Sequence, residues 1–257
     1  MKLSAAAQSI TTSPILTIAA EINQKIKQGE QVFNLTVGDF NSQIFPIPER
    51  LTRLIIAAYE DHQTNYPGAF GLDPLRQSIV DLLKDYCAID IDLNEVQVAS
   101  GSRPLIYSFF QTIVDPGDKV VFPVPSWNND YYCELFNAQA VVVDTTPETN
   151  FFPTADSLRP LLKDCVLLSL CSPQNPTGTI LEKQQLKEIC DLVVEENRRR
   201  SADDKPLYVM FDQVYWLLTF GNSIFHHPLS VCPEIKPYAV FIDGISKSFA
   251  GTGVRVG

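Results

Sequence analysis

This chain predicts an α/β fold, a mostly parallel central sheet with helices on both faces. Two observations carry that expectation. From Asp73 onward, short β-rich runs alternate with amphipathic helical patterns, and parallel strands need such crossover helices between them. The residues with the most chemical potential also fall just after those runs, where ligands sit in folds of this kind.

The elements follow in order. Pro14 opens an amphipathic pattern of Ile15, Ile18, Ala19, Ile22 and Ile26, which Gly29 closes as a helix C-cap. Val32-Phe33-Asn34-Leu35 reads as a short strand before the irregular Val37-Gly38-Asp39-Phe40. Pro48 starts a helix carrying Leu51, Leu54, Ile55 and Ala58. Asp73 and Pro74 read as N-cap and first residue of a helix with Leu75, Ile79, Leu82 and Leu83. Glu95-Val96-Gln97-Val98 reads as a strand, and Gly101-Ser102-Arg103-Pro104 begins the helix through Leu105, Phe109 and Ile113. Asp115-Pro116-Gly117-Asp118 is a turn leading into the strand Lys119 to Phe122. Further strands are expected at Ala140 to Val143, Val166 to Leu170, Leu207 to Phe211 and Ala239 to Ile242. A long helical pattern covers Leu181 to Arg198.

Composition narrows the class. The chain has 257 residues, enough for one large domain or two unequal ones, with 45% hydrophobic and 19% charged residues, as in an ordinary globular protein. Its net charge of −10 argues against a nucleic-acid partner, which needs a basic face. The one compact basic cluster, Arg198-Arg199-Arg200, stands among acidic residues and reads as a solvated helix end. Six scattered cysteines without Cys-x-x-Cys spacing predict reduced thiols, no metal site and a cytoplasmic protein. No apolar stretch approaches the roughly 20 residues of a membrane span, and no signal-peptide core follows Met1.

The chemistry-bearing residues cluster by position. Gly101 and Ser102 follow one expected strand, Pro123 to Trp127 a second and Asn175 a third. Asp212 and Tyr215 follow a fourth, and Ser246-Lys247 a fifth. Lys247 stands between two hydroxyls in a glycine-containing run, with Arg255 eight positions on. A lysine that links covalently to a cofactor needs phosphate donors nearby and small residues that let the group approach. Asp212 ends an apolar run, where a carboxylate is costly unless paired. Gly101 and Ser102 at a helix start present backbone N–H groups to an anion.

Taken together, Asn175-Pro176-Thr177-Gly178, Asp212-Gln213-Val214-Tyr215 and Ser246-Lys247-Ser248-Phe249-Ala250 with Arg255 resemble the class I and II aminotransferases. These are pyridoxal-phosphate enzymes of the aspartate aminotransferase fold. Asn65-Tyr66-Pro67-Gly68 with Gly71, Leu75 and Arg76, then Gly101-Ser102 and Pro123 to Trp127, extend the resemblance over nearly the whole chain. It implies pyridoxal 5'-phosphate as cofactor. Lys247 would carry it as an internal aldimine and then move the substrate's α-proton. Asp212 matches the carboxylate on the pyridine nitrogen, Tyr215 and Asn175 the partners of the phenolic oxygen, and Trp127 the ring-stacking residue. Gly101, Ser102, Ser246 and Arg255 match phosphate contacts. Tyr66 matches a tyrosine that reaches the phosphate of the partner subunit, which implies a homodimer with a shared active site. Gly38, with Trp127 and Asn175, matches substrate contacts, although the family often continues with Glu-Pro where this chain has Asp39-Phe40.

The implied organisation is an N-terminal arm and partial small domain over 1–45 and a cofactor-binding large domain over 46–257. The latter is expected to stop short of the family's C-terminal continuation, which carries the arginine that grips the substrate carboxylate. The implied reaction moves an amino group between an L-amino acid, aspartate or aromatic-like, and a 2-oxo acid. This piece alone is expected to bind cofactor weakly and not to turn over. A C–S lyase or elimination enzyme of the same fold and a non-catalytic aminotransferase-like fragment are the alternatives. A transcription regulator with this domain would need a DNA-binding segment ahead of it, and residues 1–45 are too short for one.

Overall fold

Apolar β-branched and aromatic runs form five strands: β1 (Lys119–Val124), β2 (Gln139–Asp144), β3 (Cys165–Cys171), β4 (Tyr208–Asp212) and β5 (Ala239–Ile242). All pair in parallel, in the order β2-β1-β3-β4-β5. This is a computed structural model, and it describes residues 2–4, 7–8, 14–36 and 38–257. Val37, in the irregular stretch expected after Leu35, lies outside the described residues. The helices are α1 (Pro14–Lys27), α2 (Glu49–Glu60), α3 (Asp73–Cys87), α4 (Ser102–Ile113), α5 (Asn129–Leu135), α6 (Ala155–Leu158), α7 (Lys183–Arg199), α8 (Pro228–Val231) and α9 (Ile245–Ser248).

The strands are apolar at successive positions because helices cover both faces of the sheet. Val121, Leu168, Val209 and Phe211 enter one core with Leu186, Ile189 and Val193 of α7. Their neighbours Val120, Phe122, Leu167 and Met210 turn to the other face, against Phe110 of α4 and Tyr132 of α5. The alternation is the period of two that a strand imposes on its side chains. Strand order reverses between β1 and β3, so the chain leaves these neighbours in opposite directions and opens a crevice beyond their carboxyl ends.

The expected fold class holds, and four local expectations do not. Val32–Leu35 is not a strand; Phe33 is 94% and Leu35 92% exposed, and among the described residues no strand pairs with them. Glu95–Val98 is not a sheet strand either. Leu93–Glu95 is a single 3₁₀ turn, boxed by Asp92 and Glu95. Beyond it Ala99 exchanges backbone hydrogen bonds with Gly257, at 2.8 and 3.1 Å, outside the five-stranded sheet. Four strand ends therefore converge, and a loop supplies the fifth side. Asp73 lies inside α3 rather than capping it, because its carboxylate accepts from Arg76 Nη1 at 2.7 Å. That arginine is buried, donating also to the carbonyls of Val96 and Leu93 at 2.9 and 2.6 Å. Arg200 is not a solvated helix end; its guanidinium donates to the carbonyls of Leu162 and Cys165, both at 2.8 Å, and ties α7 to the start of β3. Gly29 ends α1 as expected, with φ +88° and its N–H bonded to the carbonyl of Ile26.

Candidate active site

Lys247 sits on α9, a single turn that follows β5. Its Nζ donates to the carbonyl of Gly38 at 2.9 Å and stands 6.0 Å from the centre of the Tyr215 ring. A second bond supports that approach, from Thr252 Oγ1 to Asp39 Oδ1 at 2.8 Å. The stretch around Gly38 thus reaches the lysine from more than two hundred residues away in sequence.

Asp212 closes β4 in register with Cys171 of β3 and Ile242 of β5. Its Oδ1 accepts from the Val214 N–H at 3.2 Å, and among the described residues no cation forms an ion pair with it. Burial pushes its carboxyl up to about 6; the Val214 N–H and Lys247 oppose that rise, and the Asp243 charge adds to it. Beside it Asn175 Nδ2 donates to the Tyr215 hydroxyl at 3.2 Å. Burial, with Cys171 and Asp212 nearby, pushes the Tyr215 phenol up to about 12, so it stays protonated and keeps a donor to offer.

A second group of residues gathers at the start of α4. Gly101 caps α4 with φ +100°, a conformation that favours glycine. A Cβ there would also run into the Arg255 guanidinium, so the lack of a side chain lets that cation lie over the helix start. Arg255 is steadied by donating from Nη1 to the Thr252 carbonyl at 3.0 Å. Ser102 Oγ donates to the carbonyl of Asp243 at 2.7 Å. Backbone N–H groups at a helix start and a guanidinium beside them are the recognition set for a phosphate.

Ser246 is partly buried on α9, next to Lys247, and Trp127 stands in the loop leaving β1 with 39% exposure. Gln174 Nε2 donates to the Pro125 carbonyl at 2.6 Å, which ties the loop after β3 to the loop after β1. Lys247, Gly38, Tyr215, Asn175 and Asp212 are thus brought into one neighbourhood, and Gly101 and Arg255 into contact. Tyr66 is fully exposed and is not drawn into this group. Sequence analysis missed Asp243 and Trp216 and gave Gln213 no role of its own; both Gln213 and Trp216 donate to Asp243. The available signal was an acid directly after the β5 run, the place Asp212 holds at the end of β4.

Among the described residues no His, Cys, Asp and Glu cluster could hold a metal ion. The cysteines are free thiols, and burial pushes Cys133 up to about 12 and Cys165 up to about 11, far from nucleophilic thiolates. Among the described residues no helix is long and apolar enough to cross a membrane.

Fold and site together define a doubly wound α/β protein with a lysine, a buried carboxylate and a helix start beside an arginine, all placed beyond the strand ends. Residues 30–257 match the family described as aminotransferase class I and II, and the chain belongs to that family. It is 28% identical to an aspartate aminotransferase of Bacillus sp. strain YM-2 over 97% of this chain and 61% of that one. It is 30% identical to a probable aspartate/prephenate aminotransferase of Rickettsia conorii, over 97% of this chain and 60% of that one. Its fold superposes on aspartate aminotransferase from Thermus thermophilus, solved with maleate, with a TM-score of 0.88 and 27% identity over 100% of this chain and 64% of that one. The chain spans about 60% of the length of the curated relatives it matches.

Proposed function

We propose that this chain is the cofactor-binding body of a pyridoxal 5'-phosphate-dependent aminotransferase, with Lys247 as its catalytic amine. The observation that carries the proposal is Asp212, a carboxylate raised by burial, with no cation partner among the described residues, in the cleft that holds Lys247. Such a group is costly until a protonated nitrogen arrives to pair with it. The rest of the cleft fits the same cofactor: a donor pair for a phenolate oxygen at Asn175 and Tyr215, and a phosphate cradle at Gly101, Ser102, Ser246 and Arg255.

When bound, pyridoxal 5'-phosphate supplies an aldehyde that amines attack and a ring that takes up the electron pair left on a substrate α-carbon. Asp212 would hold the proton on the ring nitrogen, and its raised proton affinity in the free chain reports how little water screens it there. Asn175 and Tyr215 would donate to the phenolic oxygen. Trp127 would shield the ring from water. The Lys247 amine, which donates to the Gly38 carbonyl in the free chain, would in its neutral form be the base that takes the substrate's α-proton and the acid that hands it on.

The substrates proposed are a dicarboxylic amino acid and its 2-oxo acid partner. Support comes from relatives named for aspartate and from the solved relative that holds maleate, a dicarboxylate. A cytoplasmic homodimer, with Tyr66 extending to the partner's site, completes the proposal; the full exposure of Tyr66 leaves it available for that contact. The test is borohydride reduction of the chain mixed with pyridoxal 5'-phosphate, followed by peptide mapping. The label is expected on Lys247 and is expected to vanish in Lys247→Ala. Equal labelling of the variant would refute the assignment.

A further inference from the structure

Asp243, the residue after β5, is where hydrogen bonds from several segments converge. Its Oδ2 accepts from Trp216 Nε1 at 2.8 Å and from Gln213 Nε2 at 3.2 Å. Its Oδ1 accepts from the Gly244 N–H at 2.7 Å, and its main-chain oxygen accepts from Ser102 Oγ at 2.7 Å. Each donor adjoins a residue of the cleft. Gln213 follows Asp212, Trp216 follows Tyr215, Gly244 opens the turn that carries Ser246 and Lys247, and Ser102 starts α4 beside Gly101.

A carboxylate suits this position. Its two oxygens accept from all three side-chain-facing donors at once, because it has no donor of its own. Gln213 can turn its amide, but an Asn here would set its NH₂ group against either the Trp216 N–H or the Gly244 N–H, two fixed donors. Gln213 is 1% and Trp216 6% exposed, so water does not replace a lost partner. Burial raises Asp243 above the usual carboxylate range while the same three donors oppose that rise, and among the described residues no ion pair includes it. Packing is tight around it as well: a Cβ on Gly244 would come within 2.8 Å of Ser102 Oγ.

We propose that Asp243 is a positioning residue that holds the Asp212–Tyr215 loop, the Gly244–Lys247 turn and the Gly101–Ser102 helix start in the arrangement that takes up the cofactor. It touches no cofactor atom itself and acts through its neighbours. The proposal rests on the assignment of this cleft to pyridoxal 5'-phosphate, and the test separates the two.

The variant is Asp243→Asn in the 257-residue chain. Without cofactor, amide hydrogen exchange is expected to quicken about tenfold in residues 99–102, 213–216 and 244–247 together, while α7 keeps its protection. With pyridoxal 5'-phosphate, the dissociation constant is expected to rise about tenfold, with Lys247 still the residue trapped by borohydride. Exchange that quickens at Gly244 alone, or a wild-type dissociation constant in the folded variant, overturns the proposal. If Asp243→Asn does not fold, Trp216→Phe decides, since it removes one donor. A dissociation constant raised about threefold, with faster exchange reaching residues 99–102, supports the role; wild-type behaviour refutes it. A wild-type chain with no Lys247 adduct, but with all three segments loosened by Asp243→Asn, would sink the cofactor assignment and leave the positioning role standing.

Discussion

Helices α2 and α7 carry the same kind of message in sequence and meet different fates. Both repeat apolar residues at helical spacing. Helix α7 buries Leu186, Ile189, Cys190, Leu192, Val193 and Val194 against the sheet, whereas α2 buries none of its side chains. On α2, Leu54 stays 57% exposed and Tyr59 68%. Periodicity specifies which face of a helix is apolar; whether that face is buried depends on a partner surface, and the sheet offers one only to α7. Each large side chain left in water forgoes about 1.5–3 kcal/mol. The stability of the described chain therefore resides mainly in the sheet and its two cores, and α2 adds little to it.

The contrast is sharpest at the centre of the sheet. Phe211, fully buried in β4, is expected to cost ~3–5 kcal/mol when truncated to Ala, read from the urea midpoint. A loss below about 1 kcal/mol would mean that the sheet body is not the cooperative unit. Next comes His227, which packs against Phe241 with ring centroids 4.3 Å apart and whose Nδ1 accepts from the Leu229 N–H. Burial holds it down to about 3 from an ordinary 6.5, so the unfolded chain binds its proton first. Its contribution is present above the ordinary value and is lost as pH falls toward the folded one. By about pH 4 the loss amounts to about 3 kcal/mol. In His227→Gln the stability difference between neutral and acid solution should shrink by that amount; an unchanged difference would place the acid sensitivity elsewhere.

Asp212 has the opposite sign. Its folded-state value is raised from 3.8 to about 6, so the folded chain binds the proton more tightly than the unfolded one. That stability is present below the unfolded value and lost as pH rises through the folded one. Asp212→Asn should therefore stabilise the cofactor-free chain by about 2 kcal/mol at neutral pH, and not at about pH 3.5, while it weakens cofactor binding. A variant that is less stable at neutral pH would contradict the burial argument. The smallest effect belongs to α2, where Leu54→Ser should change the unfolding free energy by under about 0.5 kcal/mol. A larger loss would show that α2 has a partner after all.

How much was legible in sequence varied with the range of the contacts involved. Strands β1 to β5 were readable because each is a dense run of Val, Leu, Ile and Phe with a turn on either side, and β5 was expected at its observed limits. Lys247, Asp212, Asn175, Tyr215, Gly101 and Arg255 could be singled out as candidates because each stands at the end of an element or in a motif of fixed spacing. Val32–Leu35 misled because an apolar run of that length also needs a neighbouring strand to pair with, and among the described residues none pairs with it. Asp73 misled because the cap position was inferred without Arg76, whose buried guanidinium claims the carboxylate. Asp243 was overlooked because, apart from its neighbour Gly244, its donors come from two segments distant in sequence, Gln213–Trp216 and Ser102.

By itself, then, the sequence determined the parallel α/β class, the order of the strands along the chain and the residue types available for chemistry. These rest on short-range physics: β-branched runs, helical periodicity and helix-start glycine. Tertiary structure alone decided the 2-1-3-4-5 strand order, the seating of Gly38 on Lys247, the close approach of Arg255 to Gly101 and the gathering of two distant segments on Asp243. Those outcomes depend on which distant surfaces are brought together and sealed from water. A hydrogen bond across two hundred residues has no local signature, because its free energy is realised only once the intervening chain has packed.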